Sequence, residues 1–337
     1  MCKASGIHGK PLKKPSILAR YTCAGISCAI FAAWWKCTFV PESETPSVDA
    51  PMHSYHIPLF FTVGYIVSLP ILKFLVQKYC SSIDMKELLK DSMLLYNVSQ
   101  IALNGWMVWR FIDAVVNKGH PFIGDVHTTA TGTTYAVWVH YCDKYLEFFD
   151  TYFMVLRGRM DQVSFLHVYH HFSIAWGWYI AMTYFSGGDA YFGALLNSFI
   201  HVLMYSYYAL SLLKISCPWK RYLTQAQLFQ FTSVVIYSFA SYINVPTEDR
   251  TTGVIICYVT QVWEMVSLFA LFSFFYMRSY GKKKSKDTYK LDDDQCQLAV
   301  KSAVEGAAGV VETAAKDAGK IASTARRTIR YNVGQNK

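Results

Sequence analysis

Charge is scarce in this chain of 337 residues: Asp, Glu, Lys and Arg together make up 16% of it, while 53% is hydrophobic. A water-soluble domain of this length carries about 25% charged residues, so the shortfall excludes an ordinary soluble fold. Paired cysteines are lacking too. The nine cysteines are scattered, mostly in or beside apolar runs, and no two form a CxxC pair. That pattern suits small buried residues and excludes a disulfide framework. The first apolar run has no small-residue cleavage pattern, which argues against a signal peptide.

What the chain does have is long apolar runs, and its mean hydropathy is +0.19. About 20 apolar residues cross a hydrocarbon core roughly 30 Å thick. Eight windows approach that length: 16–40, 55–77, 94–116, 134–156, 167–186, 189–213, 226–245 and 254–278. The expected fold is therefore an all-α integral membrane protein. Basic residues order the spans by the positive-inside rule. Lys3, Lys10, Lys13, Lys14 and Arg20 precede the first span, and Glu42, Glu44 and Asp49 fill the next loop. Lys78, Lys86 and Lys90, then Arg157 and Arg159, then Lys214, Lys220 and Arg221 mark alternate loops, and Lys282, Lys283, Lys284 and Lys286 follow the last span. Eight spans put all these clusters and both termini on the cytosolic side. The net charge of +9 comes largely from these flanks and suits anionic headgroups or substrates, not nucleic acid.

Three segments follow: 1–50 with an extra first span, 51–280 as the membrane domain, and a cytosolic tail, 281–337. Residues 300–321 read as two eleven-residue units, a period that keeps one apolar stripe aligned on a helix. Gly306, Gly309 and Gly319 weaken that helix in water. The tail reads equally as a disordered segment or as a helix that forms on a lipid surface.

Four successive spans carry polar residues at helical spacing. Lys144, Glu147, Asp150 and Thr151 share a face of the fourth. Lys144 and Glu147 could be a purely structural i,i+3 ion pair, which leaves Asp150 unexplained and favours a functional polar cavity. Cys142 falls on the opposite side. His167, His170 and His171 crowd one turn at the cytosolic start of the fifth span. One such histidine would be a satisfied hydrogen-bond partner, but three within a turn point to chemistry or metal. Asn197, His201, Met204, Tyr205 and Tyr208 line the sixth, and Thr224, Gln227 and Gln230 open the seventh. Each set alone could simply bridge helices. Together they imply a shared polar interior.

Imidazole serves as nucleophile, general base or metal ligand at neutral pH. A di-iron desaturase or hydroxylase needs several histidine boxes. This chain has ten histidines but one HxxHH; His8, His53 and His56 lie elsewhere, and His120, His127 and His140 fall near or beyond the luminal end. No metal is expected. Acyl transfer fits better: one imidazole accepts an acyl group from a thioester while another steadies an enolate oxygen. Basic residues at the rim suit the phosphates of coenzyme A. A lipid transporter or receptor is the remaining class, and would release no carbon dioxide from malonyl-CoA.

Lys144 through Thr151 reads KxxExxDT, His167 through His171 reads HxxHH, Asn197 through Tyr208 reads NxxxHxxMYxYY, and Thr224 through Gln230 reads TxxQxxQ. In this order they resemble the very-long-chain fatty-acid elongases (the ELO family) over roughly residues 55–280. The resemblance implies seven transmembrane helices, six of them around a narrow acyl tunnel closed at its luminal end, with 16–40 as an addition. It implies a 3-oxoacyl-CoA synthase of the endoplasmic reticulum that joins an acyl-CoA to malonyl-CoA, with no further cofactor. His170 would take the acyl group and His201 help bind the condensing intermediate, while His167 and His171 orient it or assist decarboxylation. Lys144, Glu147 and Asp150 would shape the site; Asn197, Tyr205, Tyr208, Gln227 and Gln230 would line it. Implied partners are membrane lipids and the ketoacyl-CoA reductase, hydroxyacyl-CoA dehydratase and enoyl-CoA reductase of the cycle; pairing of two copies is left open. The chain ends Gly334-Gln335-Asn336-Lys337 and not in the dilysine signal of many members.

Histidine at the first box position, here His167, goes with saturated and monounsaturated substrates in the family. Met52–Tyr55 and Tyr135–Lys144, however, resemble microalgal and diatom Δ5 elongases, which also carry HVYHH and an extra N-terminal span. That resemblance implies C20 polyunsaturated acyl-CoA.

Overall fold

The computed structural model describes residues 12–40, 50, 52–126, 130–185 and 187–280. The chain divides into one unit of Met1–Arg278 and a second of Ser279–Lys337, and the described residues fall almost wholly in the first. The eleven-residue repeats of the tail lie outside the described residues.

The described chain folds into ten α-helices: α1 (Ile17–Thr38), α2 (His56–Tyr79), α3 (Met85–Leu88), α4 (Lys90–Asn117), α5 (Thr133–Leu146), α6 (Phe148–Leu156), α7 (Phe165–Tyr184), α8 (Ala190–Leu212), α9 (Lys220–Asn244) and α10 (Thr252–Tyr280). Seven of the eight apolar windows become single helices with ends close to those expected. The window 134–156 does not, because α5 gives way to α6 at Glu147. There the Glu147 N–H still bonds Asp143 O at 2.9 Å, but Asp150 N–H bonds Glu147 O at 3.0 Å, an i→i+3 bond that tightens the turn.

Hydropathy and packing divide the labour among the helices. α1, α2 and α10 are long and apolar enough to cross a membrane by length and composition. α5 is different, since every residue from Thr133 to Leu146 is buried. It runs at the centre, against α1, α4, α7 and α8. A helix buried all round can carry polar groups at membrane depth, provided its neighbours satisfy them.

The first helix is fastened to the bundle at both ends. Near its start the Arg20 guanidinium donates to both Asp91 oxygens at 3.0 Å and to Glu87 at 2.9 Å. Near its end Trp34 donates to Cys142 O at 3.1 Å, and Trp138 of α5 donates back to Thr38 O at 2.8 Å.

The far end of the bundle, opposite the basic loops, is closed by a polar clasp. The Asp189 carboxylate accepts from Gly124 N at 2.7 Å, Asp125 N at 3.2 Å and the Ser241 hydroxyl, which also contacts Tyr258. His120 bridges Thr131 at 2.9 Å and Gly188 O at 3.2 Å. Gly188 sits at φ +51°, and a Cβ added there would lie 2.1 Å from Asp125 O. Gly188→Ala is therefore expected to lower stability by about 2–3 kcal/mol. Thermal unfolding of the purified protein in detergent checks this; an unchanged midpoint would show that the clasp gives way at little cost.

Candidate active site

The turn at Glu147 builds the centre of the site. Lys144, one turn earlier on α5, donates to Glu147 Oε1 at 2.5 Å and to Asn197 Oδ1 of α8 at 3.1 Å. Lys144 is 1% exposed and Glu147 fully buried. His201 Nδ1 lies 2.9 Å from the same Glu147 oxygen, at ion-pair distance but off the hydrogen-bond direction. One carboxylate oxygen thus meets an ammonium and an imidazole, while Oε2 has no hydrogen-bond partner. Buried ionic clusters of this kind add little net stability over apolar packing.

The next turn spreads the cluster to two sides. Asp150 accepts from Tyr205 at 2.9 Å, and Tyr205 meets Tyr96 of α4 at 3.2 Å. Thr151 bonds Tyr65 of α2 at 2.8 Å and His167 Nε2 at 2.9 Å. The fourth-span face thus contacts α2, α4, α7 and α8 together.

α7 brings the histidine box to this cluster. Ser164 caps the helix, accepting from the His167 N–H at 3.3 Å. The rings of His167 and His171 lie 4.6 Å apart, and those of His170 and His171 5.3 Å apart. His171 packs against Tyr65 and Phe148. His170 lies within electrostatic range of Glu147, His201 and Lys144. Its Nδ1 is buried with no hydrogen-bond partner, as is that of His171. Among the described residues, no group of three His, Cys, Asp or Glu side chains is arranged to hold a metal ion.

Not every expected lining residue joins this centre. Tyr208, one turn beyond Tyr205 with their rings 6.1 Å apart, is within electrostatic range of Asp150 and borders the cluster from that side. A narrow cavity of about 50 Å³ continues from the cluster between α7, α8, α9 and α10. Asn197 and Gln230 border it, and Ile174, Trp178 and Phe185 carry its wall along α7 toward the clasped end. Gln227, by contrast, is half-buried and outside this lining. A larger groove of about 480 Å³ lies between the clasp-side halves of α9 and α10. Neither cavity is lined by any of the four site histidines; the smaller one reaches the cluster through Asn197, which accepts from Lys144.

Other residues belong to the site although the pattern of spans does not put them there. His140, expected near or beyond the luminal end and away from the box, lies instead one turn from Lys144. It is within electrostatic range of Lys144, Glu147 and His201, bonded to Ser198 at 3.1 Å with its ring 4.4 Å from Trp178. α5 begins at Thr133, where the window 134–156 leads one to expect it, so His140 stands two turns inside the span and not at its luminal end. Behind it, Asp143 accepts from Gln100 at 2.9 Å and from Asn104 at 3.4 Å. Gln100 and Asn104 stand at i,i+4 spacing on α4, together with Tyr96 and Asn97, a polar face that the pattern could have revealed.

A helical bundle with ionic and imidazole groups sealed in its interior defines the class: an all-α, multi-pass membrane protein with a polar site at membrane depth. The chain belongs to the ELO: GNS1/SUR4 family, which it matches over residues 50–288, so α1 precedes the matched stretch. It is similar to very long chain fatty acid elongase 5 of Tachysurus fulvidraco, 36% identical over 198 residues covering 57% of this chain and 66% of that protein. The Xenopus laevis elongase 5 is 37% identical over 211 residues, 58% of this chain and 67% of its own length. Fatty acid elongase 5 of Leishmania major is 33% identical over 240 residues, 69% and 89% respectively. The chain spans about two thirds of the length of the vertebrate relatives.

Proposed function

We propose that this protein is the condensing enzyme of fatty-acid elongation, a very-long-chain 3-oxoacyl-CoA synthase acting through an acyl-imidazole on His170. The observation that carries this reading is the buried, unpartnered Nδ1 of His170 beside the Lys144–Glu147–His201 cluster. A nucleophilic imidazole needs a free lone pair, and a neighbouring carboxylate stabilises the positive charge it acquires on attack.

The chemistry balances in two stages. An imidazole nitrogen of His170 attacks the thioester carbonyl; a C–N bond forms, the C–S bond breaks, and CoA leaves as a thiol after taking the imidazole proton. Malonyl-CoA then loses carbon dioxide, and the resulting enolate carbon attacks the acyl-imidazole. A C–C bond forms, the C–N bond breaks, and the imidazole recovers a proton from solvent. The product is a 3-oxoacyl-CoA two carbons longer. His201 and Lys144 are the cationic or donor groups placed to steady the enolate oxygen, and His167 and His171 orient the box through Thr151 and Tyr65.

The acyl chain would lie in the cavity that descends along α7, with the CoA head at the basic, cytosolic end of an endoplasmic-reticulum protein. C20 polyunsaturated acyl-CoA is the favoured substrate, by likeness to the Δ5-type sequences. Saturated or monounsaturated chains are the second reading, which His167 in the first box position favours. The reductases and dehydratase of the elongation cycle would consume the product.

Membranes containing the protein, given radiolabelled malonyl-CoA and a panel of saturated, C18 and C20 polyunsaturated acyl-CoAs, test both levels. Label in a 3-oxo product mainly from C20 polyunsaturated donors is expected. Label mainly from saturated donors would overturn the substrate, and none from any donor, with folded protein present, would overturn the enzyme.

A further inference from the structure

The cavity below the histidines is not lined as a plain hydrocarbon channel would be. Partway along, α10 presents Gln261 and Glu264 to it. Glu264 is 6% exposed and is tied to α7 by the Ser173 hydroxyl, which donates to its Oε2 at 2.9 Å. Across from these two side chains stand two glycines. A Cβ at Gly177 would lie 3.7 Å from Glu264 Cγ, and one at Gly193 would lie 3.1 Å from Gln261 Nε2. The Gln261 amide nitrogen therefore occupies the space that the missing side chain of Gly193 leaves open. Neither Gln261 nor Glu264 belongs to the four elongase motifs.

From these contacts we infer that Gln261, seated against Gly193, selects acyl chains carrying a cis double bond at this depth. The inference rests on the elongase reading. Gly177 lies seven residues beyond His170, about 10 Å along the helix at 1.5 Å per residue. An extended chain advances roughly 1.2 Å per backbone bond, since a residue of three bonds spans about 3.6 Å at most. The eighth or ninth carbon from the reacting carbonyl thus comes level with Gly177 and the α10 side chains facing it.

A saturated segment there would cover the half-buried amide N–H with methylene groups, and a donor that loses water without gaining an acceptor is unfavourable. A double bond offers its π face to the same N–H, a weak hydrogen bond worth about 0.5–1 kcal/mol by analogy with other weak donors and acceptors. Gly177, where a Cβ would meet Glu264 Cγ only at 3.7 Å, leaves about a methyl's width for the bend that a cis bond imposes. The cavity itself is about 50 Å³, room for only a few waters. A long chain must therefore push Trp178 and Phe185 aside, and contacts at this narrow level count heavily.

The test uses full-length enzyme in membranes and three eicosanoyl-type CoA donors of equal length: saturated, cis-8 monounsaturated and cis-14 monounsaturated. Wild type is expected to prefer the cis-8 donor over the saturated one, measured as the ratio of kcat/KM. Gln261→Leu should cut that ratio about two- to fivefold, through faster turnover of the saturated donor, slower turnover of the cis-8 donor, or both. The cis-14 to saturated ratio should not move. Gln261→Met, similar in length and without an N–H, gives the same readout should the Leu variant fail to accumulate. An unchanged cis-8 ratio in an active variant overturns this assignment alone. Failure of wild type to elongate any donor overturns the elongase reading and this inference with it.

Discussion

His170→Ala is expected to lower formation of the 3-oxoacyl product by at least about a thousandfold, since covalent and acid–base roles together exceed the effect of either alone. The loss should be this large because the neighbouring imidazoles, His171 with its own unpartnered Nδ1 included, are held by other contacts. His167 Nε2 is already engaged by Thr151 at 2.9 Å. The His171 ring packs between Tyr65 and Phe148. His201 is held beside Glu147. A direct check precedes any rate: mixing wild type with acyl-CoA alone should leave a covalent acyl adduct on His170, seen by mass spectrometry, and free CoA in equal amount. The Ala variant should show neither while keeping the elution profile of the folded protein. Normal turnover in a folded Ala variant would remove the acyl-imidazole route and leave direct condensation between two bound thioesters.

Much of this arrangement is legible in the sequence. Seven apolar windows end within a few residues of real helices, because lipid imposes a minimum length and a composition that few soluble segments meet. The four polar faces are legible too, since Lys144, Glu147, Asn197, His201 and Gln230 do converge. Polar side chains at membrane depth are costly unless they meet one another or water, so their helical spacing on four successive spans already implies a common interior. The break between α5 and α6 is not legible, because one i→i+3 bond at Glu147 changes neither composition nor period. His140 falls inside the window 134–156, but a single histidine two turns into a span gives no sign of the cluster it faces.

Distances across the bundle are the other hidden quantity. Gln100 and Asn104 read as two polar residues in an apolar span until Asp143 is seen to accept from both. Glu264 and Gln261 stand in the middle of the apolar α10, where a single carboxyl and amide carry no motif. Only the facing glycines show that they border a cavity. The fastening of α1 through Arg20, Trp34 and Trp138 is of the same kind. Its partners are 67 to 108 residues away in sequence, beyond the reach of any local pattern.

Glu147→Gln is expected to be costly in stability as well as activity, and the two losses can be separated. Removing the carboxylate charge leaves the Lys144 ammonium buried with only neutral acceptors, the amide oxygen at position 147 and Asn197 Oδ1. The nearest other carboxyls are engaged elsewhere, Asp143 by Gln100 and Asn104 and Asp150 by Tyr205. Breaking one side of a buried pair costs about 3–5 kcal/mol, whereas replacing both partners by apolar groups of similar volume is often neutral. The double variant Lys144→Met with Glu147→Leu should therefore recover most of the stability lost in Glu147→Gln, short of about 1 kcal/mol for the bond Asn197 no longer receives. It should not recover activity, because the charges that face His170 and His201 are gone. Thermal unfolding in detergent gives the first comparison and 3-oxoacyl formation the second. A double variant as unstable as the single one would mean that the ion pair holds α5 to α8 and that the fold depends on it. A stable but inactive double variant would mean that these charges persist at membrane depth for the reaction they serve.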